Sequence, residues 1–175
     1  EFPDIASVES DSFLLVKSGL LSELIKRTFF ATDSESSRYA LGGLLLELEG
    51  SKLIAVGTDG RRLAQMEGPV EVVGGVELGT SSTIVPTRSM TLISRALVNP
   101  DADVKIIVSD NQVVFSSDRV TLTSRLVEGR YPKWKEVFPN QVDSTKIDMT
   151  VGNIHSKLKR FNSICIRNRF WLVYL

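Results

Sequence analysis

The chain has 175 residues, of which 42% are hydrophobic and 24% charged, and its 21 basic and 21 acidic side chains cancel to a formal net charge of zero. This is ordinary globular composition, without the roughly 18-residue apolar run of a membrane span. The single cysteine, Cys165, excludes a disulfide framework, and the single histidine, His155, argues against His-rich metal sites and catalytic triads. We therefore expect no catalytic residues, no bound metal and no cofactor. The balanced charge also argues against a simple basic coat for nucleic acid.

The first half of the chain predicts a strand, a helix and three more strands. Residues 1–12 are polar and acidic and predict a linker, and the apolar run 13–16 predicts a strand. Ser18 is suited to cap the following helix, whose apolar side chains recur at helical spacing up to residue 29. Strands are predicted at 44–48, 53–56 and 62–66, separated by turn signals at 49–52 and 58–61.

The second half repeats this order after a Gly- and Val-rich connection at 67–81. A strand at 83–85 is followed by Pro86, a favoured helix start, and by a helix with an apolar stripe at Met90, Ile93 and Leu97. Three further strands are predicted at 104–108, 113–116 and 119–126. The last of them alternates polar and apolar residues, which is typical of a half-buried antiparallel strand.

The predicted elements therefore form an internal repeat. A strand–helix–three-strand unit occupies residues 13–67 and again 83–127. Two such βαβββ units predict an α+β domain with antiparallel sheets and both helices packed on one side.

Three strings carry a family resemblance: SRYALGGLLLE at 37–47, TDGRRLA at 58–64 and SRLVEGRYPKW at 124–134, with IVP at 84–86 between the last two. In this order and spacing, about residues 10–150 resemble the middle domain of the bacterial sliding clamp, the beta subunit of DNA polymerase III. The resemblance implies the DNA-clamp fold, in which the two repeats place antiparallel sheets on the outside of a ring and two helices on its inner face.

The resemblance also implies a function. Members of this family form head-to-tail dimers of three-domain protomers that close around duplex DNA. They are DNA polymerase processivity factors without catalytic machinery, located in the bacterial cytoplasm at the nucleoid. Their partners, polymerases and clamp-loader subunits, dock through short peptides in a hydrophobic pocket.

The family pattern assigns residues of this chain to two surfaces. The partner-peptide pocket is implied to include Leu41, Thr58, Gly60, Arg61, Arg62, Leu63, Pro132 and Val137. The DNA-facing set is implied to include Lys26, Arg38, Tyr39, Arg88 and Arg95. Alternatives remain open: Arg38 and Tyr39 suit a cap at the helix–strand junction equally well, and Trp134, close to the pocket, is expected to pack in the core.

The resemblance divides the chain into a linker at 1–12, the middle domain at 13–140, and a linker with an aberrant or truncated start of the third domain at 141–175. Residues 151–156 match the opening of that domain's first helix, whereas the later residues depart from the family pattern. The segment 151–175 has five basic residues and no acidic one, and it ends in the apolar run 170–175. By itself, such a chain is expected not to close a ring, to hold half of the pocket, and to bind DNA and peptides weakly.

A function of another class is also open: a stand-alone protein-interaction or nucleic-acid-binding β-rich module. A single-strand-binding surface needs several exposed aromatic side chains on which bases can stack. Tyr39 and Phe115 are isolated in the sequence, which disfavours that alternative.

Overall fold

The computed structural model describes residues 10–33, 40–75, 83–137 and 150–168, the last nine by their backbone alone. The chain divides into two compact units, Glu1–Phe138 and Pro139–Leu175. Each unit is described by itself.

The first unit contains the two predicted repeats. The elements of the first repeat are β1 (Phe13–Lys17), α1 (Ser18–Thr28), β2 (Gly43–Glu49), β3 (Lys52–Thr58) and β4 (Leu63–Pro69), and β5 (Glu71–Val73) follows them. Those of the second are β6 (Ile84–Pro86), α2 (Thr87–Ala96), β7 (Asp103–Val108), β8 (Gln112–Ser116) and β9 (Thr121–Arg125). Short 3-10 helices occupy Phe29–Ala31, Ala40–Gly42 and Trp134–Val137. The predicted order is thus confirmed, with β5 as an additional strand inside the connection that follows the first repeat.

Within the described residues the strands form two antiparallel sheets, and the two repeats exchange their first strands. One sheet has the order β5-β1-β7-β8-β9 and the other the order β4-β3-β2-β6. β1 pairs with β7 of the second repeat, where Leu14 lies opposite Ile106, and β6 pairs with β2 of the first, where Ile84 lies opposite Leu45. This exchange joins the two repeats into one domain, because neither sheet is complete without a strand from the other repeat.

The strands β2 and β3 of the four-stranded sheet are buried on both faces. Alternate residues such as Leu44, Leu46 and Ala55 join the main core, to which both helices and the other sheet also contribute. The residues between them pack into a second cluster on the opposite face: Ala40, Leu45, Ile54, Val56, Ile84, Tyr131 and Trp134. This explains why β2 and β3 have nearly continuous apolar sequences, since each strand supplies side chains to two cores.

The start of α1 departs from the expected cap. Lys17 occupies the N-cap position, and no side chain caps the helix. The backbone carbonyls of Pro100 and Ala102 instead accept hydrogen bonds from the Gly19 and Ser18 N–H groups, both at 2.8 Å. The Ser18 side chain is therefore not needed as a cap, and its Oγ is buried without a hydrogen-bond partner among the described residues.

The two helices of the first unit lie side by side. The hydroxyl oxygens of Ser22 on α1 and Ser94 on α2 are 3.5 Å apart. Met90 and Ile93 of the predicted α2 stripe are 0% and 2% exposed, which confirms their position in the core.

The second unit contains α3 (Val151–Asn168), which includes the helix start predicted at 151–156. The first turn of α3 begins with a hydrogen bond from the Asn153 N–H to the Thr150 carbonyl, at 3.1 Å. Among the described helices of both units, none combines the length and the hydropathy that a membrane span requires.

Candidate functional site

The turn between β3 and β4 is held by its own side chains. Thr58, 6% exposed, donates from Oγ1 to the Arg62 carbonyl at 2.7 Å and accepts from the Gly60 N–H at 3.1 Å. Asp59 Oδ1 accepts from the Arg61 and Arg62 N–H groups at 2.9 and 3.0 Å. Gly60 has a φ of +84°, a conformation that favours glycine. The TDGRRLA string is thus a tightly bonded turn that fixes the backbone next to Leu63.

Arg62 is held at the rim of this turn. Its Nε lies 3.0 Å from Asp59 Oδ2, and its guanidinium carbon lies 5.9 Å from the centre of the Phe30 ring. Phe30, in the 3-10 helix after α1, is 54% exposed. The Arg62 side chain thus bridges the turn and an exposed aromatic ring, to which it is attracted by its charge.

We expect Asp59→Asn to make the thermal stability of the protein decrease less as the pH falls. Burial raises the pKa of Asp59, but the N–H donors of Arg62 and Arg61 and the charge of Arg62 outweigh it, so the pKa lies below its usual 3.8. A carboxyl with a lowered folded-state pKa stabilises the fold above its unfolded-state pKa, and this contribution is lost as the pH falls through the folded-state value. The Tm difference between wild type and Asp59→Asn should therefore be largest near neutral pH and shrink below about pH 4.

Thermal unfolding followed by circular dichroism from pH 7 to pH 3 measures this difference. Asp118→Asn is the matched control, because Asp118 lies in the β8–β9 turn and its carboxylate accepts no hydrogen bond among the described residues. A Tm difference for Asp59→Asn that does not change with pH would contradict the expectation.

Leu63 packs against a buried cluster that contains two aromatic side chains. Leu63 is half-buried and packs against the second cluster, which contains Tyr131 and Trp134. The Tyr131 hydroxyl donates to the Val56 carbonyl at 3.0 Å, and its burial raises the pKa of Tyr131. Trp134 is 6% exposed, so the prediction that it packs in the core is confirmed.

The remaining predicted pocket residues, Leu41, Pro132 and Val137, are close in the chain to members of this cluster. Leu41 is 9% exposed and follows Ala40, a member of the second cluster, and its carbonyl accepts from the Asp33 N–H at 2.9 Å. Pro132 is exposed and lies between Tyr131 and Trp134 in the chain, whereas Val137, at the end of the last 3-10 helix, is 66% exposed. The predicted residues thus comprise a buried base, a half-buried Leu63 and an exposed apolar edge.

Lys135, in the 3-10 helix that ends at Val137, forms ion pairs with strand β2 of the four-stranded sheet. Its Nζ lies 3.7 Å from Glu47 Oε2 and 3.8 Å from Glu49 Oε2, both on β2. The same ammonium lies 5.3 Å from the centre of the Trp134 ring. Glu47 is 6% exposed whereas Glu49 is exposed, so the Lys135 ammonium joins a buried and an exposed carboxylate of the same strand.

Phe30, Tyr131 and Lys135 were not among the sequence-predicted site residues. Tyr131 lies inside the SRLVEGRYPKW string at 124–134, so its position next to Pro132 was the available signal. Phe30 and Lys135 gave no such signal, because their roles depend on Arg62 and Glu47, which are distant in sequence.

The predicted DNA-facing residues that the structure describes lie on the two helices. Lys26 on α1 and Arg88 and Arg95 on α2 are exposed, and none of them has an ion pair within the described part of the chain. Arg88 and Arg95 are seven residues apart, which places them on one face of α2 about 10 Å apart along the axis. Arg38 and Tyr39 lie outside the described residues.

The described residues contain no cluster of three or more His, Cys, Asp and Glu side chains placed to bind a metal ion. What the site offers is apolar contact surface, a fixed turn backbone and a cationic rim. These features suit binding of an extended peptide with an apolar side chain.

Comparison with known proteins agrees with this architecture. Residues 15–133 match the family model of the DNA polymerase III beta subunit, central domain. The beta sliding clamp of Halalkalibacterium halodurans is 30% identical over 145 residues, which are 83% of this chain and 38% of that protein. The chain thus spans about two fifths of the length of this relative.

Solved structures of sliding clamps have the same fold. The DNA polymerase III subunit beta of Pseudomonas aeruginosa matches with a TM-score of 0.72 and 31% identity, over 81% of this chain and 38% of that one. A P. aeruginosa sliding clamp bound to griselimycin matches with a TM-score of 0.70 and 31% identity, over 79% of this chain and 37% of that one. With the family match over residues 15–133 and the two exchanged βαβββ units, these likenesses show that the chain belongs to the DNA polymerase III beta subunit family.

Proposed function

We propose that this chain supplies the middle domain of a DNA sliding clamp, the processivity factor that encircles duplex DNA and tethers a polymerase to it. The domain is proposed to comprise residues 13–140, preceded by a linker at 1–12 and followed at 141–175 by a linker and the start of a third domain. The proposal includes a non-catalytic role in the bacterial cytoplasm and, for the whole protein, a head-to-tail dimer. Its support is the family match over residues 15–133.

The observation that carries the docking part of this proposal is the position of Leu63. It is half-buried and packs against the second cluster, which contains Tyr131 and Trp134, next to a turn whose backbone Asp59 and Thr58 hold in place. An apolar side chain of a partner peptide placed on Leu63 and Val137 loses contact with water, which contributes about 25 cal/mol per Å² buried. Arg62 supplies a charged, hydrogen-bonding rim beside it.

The proposed peptide pocket includes all eight residues that the family resemblance implies. The pocket residues are Leu41, Thr58, Gly60, Arg61, Arg62, Leu63, Pro132 and Val137. Binding of griselimycin by a sliding clamp with 31% identity supports a ligand-binding surface in this family. Polymerase and clamp-loader subunits are the proposed peptide donors.

The DNA-facing part of the proposal rests on the helix pair. Exposed Lys26, Arg88 and Arg95 lie on adjacent helices and are not neutralised by ion pairs within the described residues. Such cations bind phosphates without reading sequence, because the gain comes largely from the release of counterions. Arg38 and Tyr39 are proposed to add to this surface.

The docking proposal is tested with the double variant Arg62→Ala/Leu63→Ala. A fluorescein-labelled Gln- and Leu-rich peptide is titrated into the 175-residue chain, and binding is followed by fluorescence anisotropy at two salt concentrations. We expect saturable binding that the double variant weakens at least tenfold, since it removes the apolar contact and the rim together. Because apolar contact dominates, the affinity should change little with salt.

The matched control is Thr123→Ala/Arg125→Ala, which removes an Arg and a neighbouring side chain from exposed positions on β9. It should leave the affinity within twofold of wild type. If the chain binds only after the third-domain sequence of a relative is appended, the pocket is shared with that domain and the proposal stands. Absence of binding in both proteins would contradict it and favour the stand-alone interaction module.

A further inference from the structure

Two basic side chains at the proposed peptide pocket are each paired with an acidic side chain three residues away. The Nε of Arg62 lies 3.0 Å from Asp59 Oδ2 in the β3–β4 turn. The Nζ of Lys133 lies 2.8 Å from Glu136 Oε1 in the segment 131–137. Each acid therefore offsets the charge of a base at the surface where the partner peptide is proposed to dock.

A third base is paired with the four-stranded sheet. The Nζ of Lys135 lies 3.7 Å from a carboxylate oxygen of Glu47 and 3.8 Å from one of Glu49. Arg61, the remaining base of the turn, is exposed and has no ion pair within the described residues. The turn and the segment 131–137, together with these two acids of β2, carry four basic and four acidic side chains, so their formal charges cancel.

The helix pair of the same unit shows the opposite arrangement. Lys26 on α1 and Arg88 and Arg95 on α2 are exposed, and the described part of the chain supplies no ion pair to any of them. Cations without a neighbouring acid attract phosphates and carboxylates, whereas a surface of balanced charge does not. The protein thus combines an uncompensated cationic surface on its helices with a neutralised one at the proposed pocket.

Asp59 is held in the position that this pairing requires. Its Oδ1 accepts hydrogen bonds from the Arg61 and Arg62 N–H groups at 2.9 and 3.0 Å, which leaves Oδ2 directed at Arg62 Nε. The Arg62 side chain is 60% exposed, and its other N–H groups can donate to a peptide carbonyl. The rim can therefore hydrogen-bond an uncharged backbone without a net positive charge.

The effect of these acids on ligand choice is separate from their effect on the fold. Ion pairs between exposed side chains contribute little to stability, and both Lys133 and Glu136 are exposed. A carboxylate on an approaching peptide, however, interacts with every charge within about 10 Å at 0.1 M salt. Such a peptide is attracted by the base of each pair and repelled by the acid, so it gains little over an uncharged peptide.

We propose that Asp59 and Glu136 are specificity-determining residues of the peptide pocket. They offset the charges of Arg62 and Lys133, so partner peptides are selected by apolar contact with the pocket and not by negative charge. An acidic segment of another protein gains no advantage there. This inference rests on the proposed docking function and adds the selection among peptides to it.

The test compares two fluorescein-labelled peptides in titrations of the 175-residue chain followed by fluorescence anisotropy. One is the Gln- and Leu-rich peptide, and the other carries Glu at two of its Gln positions. Wild type should bind both with affinities within twofold of each other. Asp59→Asn/Glu136→Gln should bind the acidic peptide at least about fivefold more tightly than the neutral one at low salt, and high salt should remove this preference.

Two further proteins separate the local effect from other causes. Asp118→Asn/Glu71→Gln changes the net charge by the same amount on the five-stranded sheet and should create no preference for the acidic peptide. Glu136→Gln alone should create a preference of about twofold. Because Glu136 is exposed, this second variant keeps the test independent of any change in the β3–β4 turn.

Equal binding of both peptides by Asp59→Asn/Glu136→Gln at low salt would overturn the inference. A severalfold preference for the acidic peptide in wild type, or the same preference in the Asp118→Asn/Glu71→Gln protein, would overturn it as well. If the neutral peptide still binds and Arg62→Ala/Leu63→Ala weakens it, these results leave the docking proposal intact. Absence of binding of either peptide, also after the third-domain sequence of a relative is appended, would contradict the docking proposal and this inference together.

Discussion

Replacing Gly57 with alanine is expected to lower the free energy of unfolding by about 3 kcal/mol. A Cβ at Gly57 would overlap the carbonyl oxygen of Thr28, and the Thr32 Cγ2 lies 3.3 Å from the same point. The obstacle is backbone at the end of α1, so it moves only if the helix separates from β3. Because Phe30 follows that end of the helix, the same displacement would pull the ring away from Arg62.

Urea unfolding followed by circular dichroism measures the loss. Gly68→Ala on the neighbouring strand β4 is the matched control, because its Cβ would meet the Leu20 side chain, whose end can rotate away. This control should cost about 1 kcal/mol, near the low end for overpacking. Equal losses in the two variants would contradict the view that β3 and the backbone of α1 are in direct contact at Gly57.

Trp134→Ala is expected to cost about 3–4 kcal/mol, the usual range for removing a large buried aromatic side chain. Trp134 is 6% exposed and covers the second face of the four-stranded sheet together with Tyr131. Its removal leaves a void in the cluster that contains Ile54 and Leu45 and removes the ring beside the Lys135 ammonium. The exposed segment that carries Pro132 and Val137 would then lose its attachment to the sheet.

Chemical denaturation monitored at 222 nm reports the stability of this variant. Trp134→Phe should recover more than half of the loss, since it restores most of the apolar contact, and Lys133→Ala at an exposed position should be neutral within about 0.5 kcal/mol. If Trp134→Ala weakens peptide binding while Trp134→Phe does not, the buried ring supports the pocket from below. A stability change below about 1 kcal/mol for Trp134→Ala would mean that the second cluster does not stabilise the fold.

The candidate site was predictable from sequence where its residues are close in the chain. The TDGRRLA string forms a turn because Asp59 and Thr58 bond to groups within four residues of themselves. The same string placed Arg62 beside Leu63. What it could not reveal is that Arg62 faces Phe30, since these residues come together only when β4 packs beside the end of α1.

The start of α1 shows that a local sequence preference can also predict a contact that does not form. Ser18 has the residue type and position of a typical cap, and local preference alone favours that role. The loop at 99–102 approaches from the second repeat and supplies backbone carbonyls instead. A contact between residues more than 80 positions apart therefore overrode a local signal, and it left the Ser18 hydroxyl buried and unpaired.

The sequence by itself determined the kind and order of the elements, the internal repeat and the family, because periodicity, turn residues and short motifs are properties of neighbouring residues. Only the tertiary structure decided that β1 and β6 exchange between the sheets and that residues 131–134 cover a second buried face. Each of these depends on apolar surfaces that are far apart in the chain and are removed from water together when it folds.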